Sequence, residues 1–146
     1  MKKEVREFKI EGQLHKAELI IFEPKDRAFL QNLFNDWKKA NEGVKKISTR
    51  GINLPEALSE SAFCLFFPSA RVIKVFGKTS GSFDTIDLKT GRRQQIKACS
   101  IKEDLTSFGP RSVWDDLFFL NFSKMDGSFE VYKIPNNLIY EQGVNK

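Results

Sequence analysis

The sequence predicts a single α+β domain, and three observations support that reading. The chain has 146 residues, enough for one hydrophobic core and short for two. Two segments in the first half carry apolar residues at helical spacing. The second half is made of short β-branched and aromatic runs separated by turn residues. There is no internal repeat, low-complexity tract or linker. One domain over 1–146 is therefore expected, with an N-terminal helical region over 1–50 and a core over 51–140.

Residues 5–10 and 17–23 carry a weak strand signal. Leu30, Leu33, Phe34 and Trp37 fall at i, i+3, i+4 and i+7, which makes 25–42 an amphipathic helix. Pro24 and Asp26 suit its first turn and Gly43 its end. The basic connector VKKISTRG follows over 44–51. In INLPEALSESAFCLFF, Asn53 can cap a second helix and Pro55 can sit in its first turn. Leu58, Ala62, Leu65 and Phe66 would form its buried face, and Pro68 would stop it. ARVIKVFG, SFDTID and RRQQIKAC read as three strands joined by turns at KTSG and KTG. SIKEDLTSFGPRS is a polar loop, SVWDDLFFLNF a helical turn passing into a strand, and SFEVYKIP a last strand after an MDG turn. NNLIYEQGVNK starts a final helix or runs out as a tail. Of the 14 Phe, the six at 63, 66, 67, 118, 119 and 122 are expected in the core.

Composition excludes several function classes. No apolar run approaches the roughly 18 to 20 residues of a membrane span. The basic N-terminus lacks the apolar segment of a secretion signal. Cys64 and Cys99 are too few for a disulfide framework or a thiolate zinc site, so a reducing cytoplasm is expected. With His15 as the one histidine, a Ser-His-Asp hydrolase is disfavoured. Chemistry is left to carboxylates, amides, lysines or a bound metal. The 24 Lys+Arg against 19 Asp+Glu give a net charge of +5, a mild bias toward nucleic acid.

One constellation carries chemistry. Ten residues, with a turn among them, separate Asp84 from Gln95. Gln95 and Lys97 share a strand face because side chains alternate, and the hairpin can bring Asp84 onto that face. Mg²⁺ takes oxygen ligands, commonly one or two carboxylates plus substrate phosphate. Asp84, the Gln95 side-chain carbonyl and the backbone carbonyl of Ile96 could supply three, with Mn²⁺ able to substitute. Lys97 would then meet the attacking water or the scissile phosphate, the layout of metal-assisted phosphodiester hydrolysis. Glu56 and Glu60 share one face of the second helix, Glu60 being the better accessory acid, unless both are solvated. Lys102, Ser107 and Arg111 in the loop after this strand, with Ser82 and Arg93 at the hairpin, are candidates for DNA contact. Lys45, Lys46 and Arg50 either neutralise backbone phosphates or keep the connector solvated.

A helix bearing Glu60, a strand over 71–76, a strand with Asp84 and a strand with Gln95-Ile96-Lys97 resemble the PD-(D/E)xK nuclease core. The form here is D…QxK, similar to that of Mrr-like nucleases. INLPEALSESAFC, GSFDTIDLKTGRRQQIKACSIKEDLTSFGPRSVWDDLFFLNF and DGSFEVYKIP resemble a group of small type II restriction endonucleases, nearest to those cutting at GCNGC. The resemblance covers about 50–140. It implies a restriction-endonuclease-like core, a central mixed sheet flanked by helices. It also implies a Mg²⁺-dependent homodimer acting on double-stranded DNA, beside a cognate DNA methyltransferase. Asp84 would be the central metal ligand, Gln95 the second, Lys97 the residue positioning water, and Glu60 an accessory acid. The products would carry a 5′-phosphate and a 3′-hydroxyl. Two departures stand out: Gln95 replaces a carboxylate, and the chain ends at VNK before an expected basic segment. A repair or Mrr-like nuclease, and a DNA-binding domain without catalysis, remain the alternatives.

Overall fold

A computed structural model describes residues 1–77, 83–100 and 114–135. Seven strands form one sheet in chain order: β1 (Lys2–Ile10), β2 (Gln13–Ile21), β3 (Ser69–Val75), β4 (Thr85–Asp87), β5 (Arg93–Cys99), β6 (Asp116–Asn121) and β7 (Glu130–Ile134). Neighbours are antiparallel except β5 and β6, which pair in parallel from Gln94↔Asp116 to Cys99↔Asn121. Helices α1 (Arg27–Lys45) and α2 (Glu56–Phe66) lie between β2 and β3 in the chain. The α+β class and the mixed sheet with helices are as the sequence predicts.

The N-terminal region is less helical than expected. Its first 21 residues are a β-hairpin, turned at Glu11 and Gly12 with φ of 53° and 80°. Two successive positive φ values are those of a two-residue hairpin loop, which glycine accepts without strain. A 3₁₀ turn at Pro24–Asp26 then leads into α1.

The helices cover one face of the sheet. Leu30, Phe34 and Trp37 of α1 and Leu58, Ala62 and Phe63 of α2 pack with Ile96, Leu120 and Phe122. Phe63 stacks on Phe67 at 4.5 Å between ring centres and meets Phe118 at 4.8 Å. The opposite face holds a smaller cluster of Ala17, Leu19, Ala70 and Ile86. Leu33, Phe66 and Phe67, expected inside, are exposed. The α1 stripe is narrower than its apolar spacing suggests, and Phe66 lies over the end of α2, where Arg27 sits on its ring.

Other expectations are corrected by hydrogen bonding. Pro55, and not Asn53, precedes α2, its carbonyl accepting from the Leu58 and Ser59 N–H groups. Trp114 and Asp115 form no helical turn. Asp115 exchanges backbone bonds with β5, its N–H donating to Arg93 O at 2.8 Å and its carboxylate accepting from the Arg93 N–H at 2.7 Å, which holds the segment extended. No helix among the described residues is long and apolar enough to cross a membrane.

Candidate active site

The site sits where β4 parts from β5. The strands pair at Thr85↔Gln94 and Ile86↔Arg93, and the Asp84 N–H still donates to Gln94 O at 2.9 Å. Past that point the Asp84 side chain takes over the ladder. Its Oδ2 accepts the Ile96 N–H at 2.8 Å. This bond explains why the strand expected over 82–87 begins only at Thr85. Gln95 lies between the two β5 residues that Asp84 contacts. A strand residue's N–H and C=O point toward the same neighbouring strand, so the Ile96 carbonyl lies on the Asp84 edge as well.

Alternation sorts the side chains. The Thr85 hydroxyl donates to Gln94 Oε1 at 2.7 Å on one face, and Ile96 and Ala98 pack toward the helices. Gln95 and Lys97 have the opposite parity and share a face, as the sequence predicts. Gln95 is 7% exposed, and its Oε1 is a buried acceptor with no hydrogen-bond partner among the described residues. Buried polar atoms are rarely left so, and an orphaned amide oxygen is what a hard cation would use. Among the described residues no three His, Cys, Asp or Glu side chains are grouped to hold a metal. The oxygens that could serve as donors here are one carboxylate, one amide oxygen and a backbone carbonyl. That suits an ion completing its shell with substrate phosphate and water.

Glu60 reaches the sheet from the helix side. It is 5% exposed, and Arg71 Nε of β3 donates to its Oε1 at 3.1 Å. Burial, reinforced by the nearby Asp84 charge, pushes its pKa up to about 8, against the pull of Arg71. Half-buried Asp84 is also raised by desolvation, opposed by the Ile96 N–H and by Lys97. Glu56, exposed in the first turn of α2, adds a further like charge to both. Sequence reasoning missed Arg71. The alternation of ARVIKV was its one available signal, since it puts a cation among apolar residues on a strand.

Arg93, expected at DNA, is instead engaged within the fold. Its side chain is 11% exposed and bonds Asp115 at 3.2 Å and Glu11 at 3.3 Å. Arg92 similarly forms two bonds to Asp116, at 2.8 and 3.0 Å. Asp87 accepts from the Lys89 and Thr90 N–H groups and shapes the turn. Cys99 is a buried thiol. Ser82, Lys102, Ser107 and Arg111 lie outside the described residues.

A carboxylate and a buried, unpartnered amide oxygen at a strand fork, with a lysine two residues on, define an oxygen-ligand site suited to phosphate chemistry. Residues 22–146 match the Bsp6I restriction endonuclease family, and the chain belongs to it. It is 34% identical over 102 residues to the type II restriction enzyme Bsp6I of Bacillus sp. (strain RFL6). That match takes in 69% of this chain and 55% of the relative, so the chain spans about half the length of the relative it matches. No solved structure matches the chain.

Proposed function

We propose that this protein is a type II restriction endonuclease, a Mg²⁺-dependent enzyme that cuts both strands of DNA at a short specific site. The observation that carries the reading is the Asp84 carboxylate held on the Ile96 edge of β5, beside the unpartnered Gln95 oxygen, in a chain of this family. Asp84 and Gln95 would hold the cation in the D…QxK form of the PD-(D/E)xK core, with Ile96 as the carbonyl ligand. When bound, a hard divalent ion lowers the pKa of water and offsets charge developing on phosphate. Lys97 orients the attacking water and steadies the charge that builds on the phosphate oxygens. Glu60, neutral over much of the physiological range, serves as the accessory acid. The products carry a 5′-phosphate and a 3′-hydroxyl. Two copies act together on a near-palindrome of the GCNGC type in the cytoplasm, where a cognate methyltransferase protects the host sites. Ser82, Lys102, Ser107 and Arg111 remain the proposed DNA contacts.

The test is plasmid cleavage with Mg²⁺. Discrete fragments are expected, with none in chelator. Asp84→Ala and Lys97→Ala should each abolish cutting, a loss of at least about 100-fold, with unchanged circular dichroism. Normal cutting by either variant rejects the site. A smear of products would indicate a nonspecific nuclease, and binding without cutting a DNA-binding domain.

A further inference from the structure

A cleft of about 950 Å³, lined by polar and apolar side chains alike, opens beside Lys97. One wall is the end of α1 and the connector to α2, with Lys45, Thr49 and Arg50; the other is β5 with Lys97 and Ser100. Among the described residues its lining includes Lys45, Arg50 and Lys97 and one carboxylate, Glu56. Several cations of the fold are already matched: Arg92 and Lys133 to Asp116, Arg93 to Asp115. Lys45 and Arg50 are exposed and form no salt bridge among the described residues.

The connector that carries Arg50 is held in place. Asn41 of α1, 4% exposed, accepts the Ile52 N–H at 2.7 Å, and Trp37 Nε1 donates to Ile52 O at 3.1 Å. Gly51 lies against the Asn41 side chain so closely that a Cβ there would overlap Asn41 Oδ1, and the Lys45 stem runs alongside. Two side chains of one helix thus fix both polar groups of a single connector residue. Basic groups on a braced backbone, beside a cleft that β5 borders, match the spaced charges of a sugar–phosphate chain.

We propose that this connector seats the DNA backbone next to the reacting phosphate, with Lys45 and Arg50 each contacting a phosphate. The inference rests on the endonuclease reading and adds to it a binding wall that Asp84, Gln95 and Lys97 do not supply. The test is binding of fluorescein-labelled duplexes by the full chain in chelator, read by anisotropy between about 50 and 200 mM salt. The double variant Lys45→Gln/Arg50→Gln should lower the slope of log K against log salt by about 2, equally on unrelated sequences. Lys38→Gln/Lys39→Gln, the same charge change away from the cleft, should leave the slope unaltered. An unchanged slope in the cleft variant overturns the proposal while leaving the endonuclease reading intact. Equal falls in both variants overturn it too, since only net charge would then matter. Failure of the unaltered chain to bind any duplex overturns both readings.

Discussion

Asp84, Gln95 and Glu60 show how one fork in a sheet sets three different environments. Asp84 is anchored by a backbone N–H and feels Lys97, so its carboxylate keeps partners despite desolvation. Gln95 has no hydrogen bond to its oxygen, a cost the fold carries with no structural return. Glu60 is buried with Arg71 bonded to it, and its pKa rises from the usual 4.5 to about 8. The sign of the resulting pH dependence follows from proton counting. Between about pH 4.5 and 8 the folded chain holds a proton on Glu60 that the unfolded chain has released, so this group makes stability fall as pH rises through that window. Glu60→Gln, which is neutral throughout, should flatten the decline. Thermal melts in chelator from pH 5 to about 9 check this: the variant should gain Tm relative to the parent toward the alkaline end. Parallel curves for the two proteins would place the pH dependence elsewhere.

At the scale of elements, the connector between α1 and α2 is braced by bonds from Ile52 to Asn41 and Trp37. Asn41→Ala removes the acceptor for the Ile52 N–H and leaves a small void under Gly51. The expected cost is about 1–2 kcal/mol in urea unfolding, with weaker DNA binding at moderate salt and no change in fold. An unaltered midpoint would mean that water replaces Asn41 at no cost. The helices were legible because Leu30, Phe34 and Trp37 repeat at the period of one face. The fork was legible because Asp84, Gln95 and Lys97 lie within one short hairpin, where alternation alone assigns faces. Asn41 was not legible, since an amide near a helix end reads as surface until a distant backbone is known to cross it. Arg71 was hidden for the same reason: its bond to Glu60 depends on how α2 packs across β3. The extended start of β6 depends on Asp115 pairing with Arg93, 22 residues earlier, and nothing in WDD announces that partner. The pairing of Arg93 with Asp115 and Glu11 was hidden by the same omission.

For the molecule as a whole, the described residues contain a single fork of this kind, whereas cutting a duplex at a fixed site requires chemistry on two strands. The strands of a near-palindrome are related by a twofold axis, and a twofold pair of identical chains brings one site to each. A lone chain would have to cut, release and rebind in the opposite orientation, and nicked circles would build up before linear DNA appeared. A pair cuts both strands in one encounter. The distinction can be read by mixing the unaltered chain with a growing excess of Asp84→Ala, once circular dichroism shows that the variant is folded. If chains pair, most active copies then sit beside an inactive partner, and the product of a supercoiled plasmid should shift from linear to nicked circular DNA. The nicked fraction should track the proportion of mixed pairs, about two thirds of active pairs at an equal mixture and nearly all of them at about tenfold excess of the variant. If the enzyme works as separate chains, the variant only competes for sites. Cleavage then slows, but the ratio of nicked to linear product stays that of the unaltered protein.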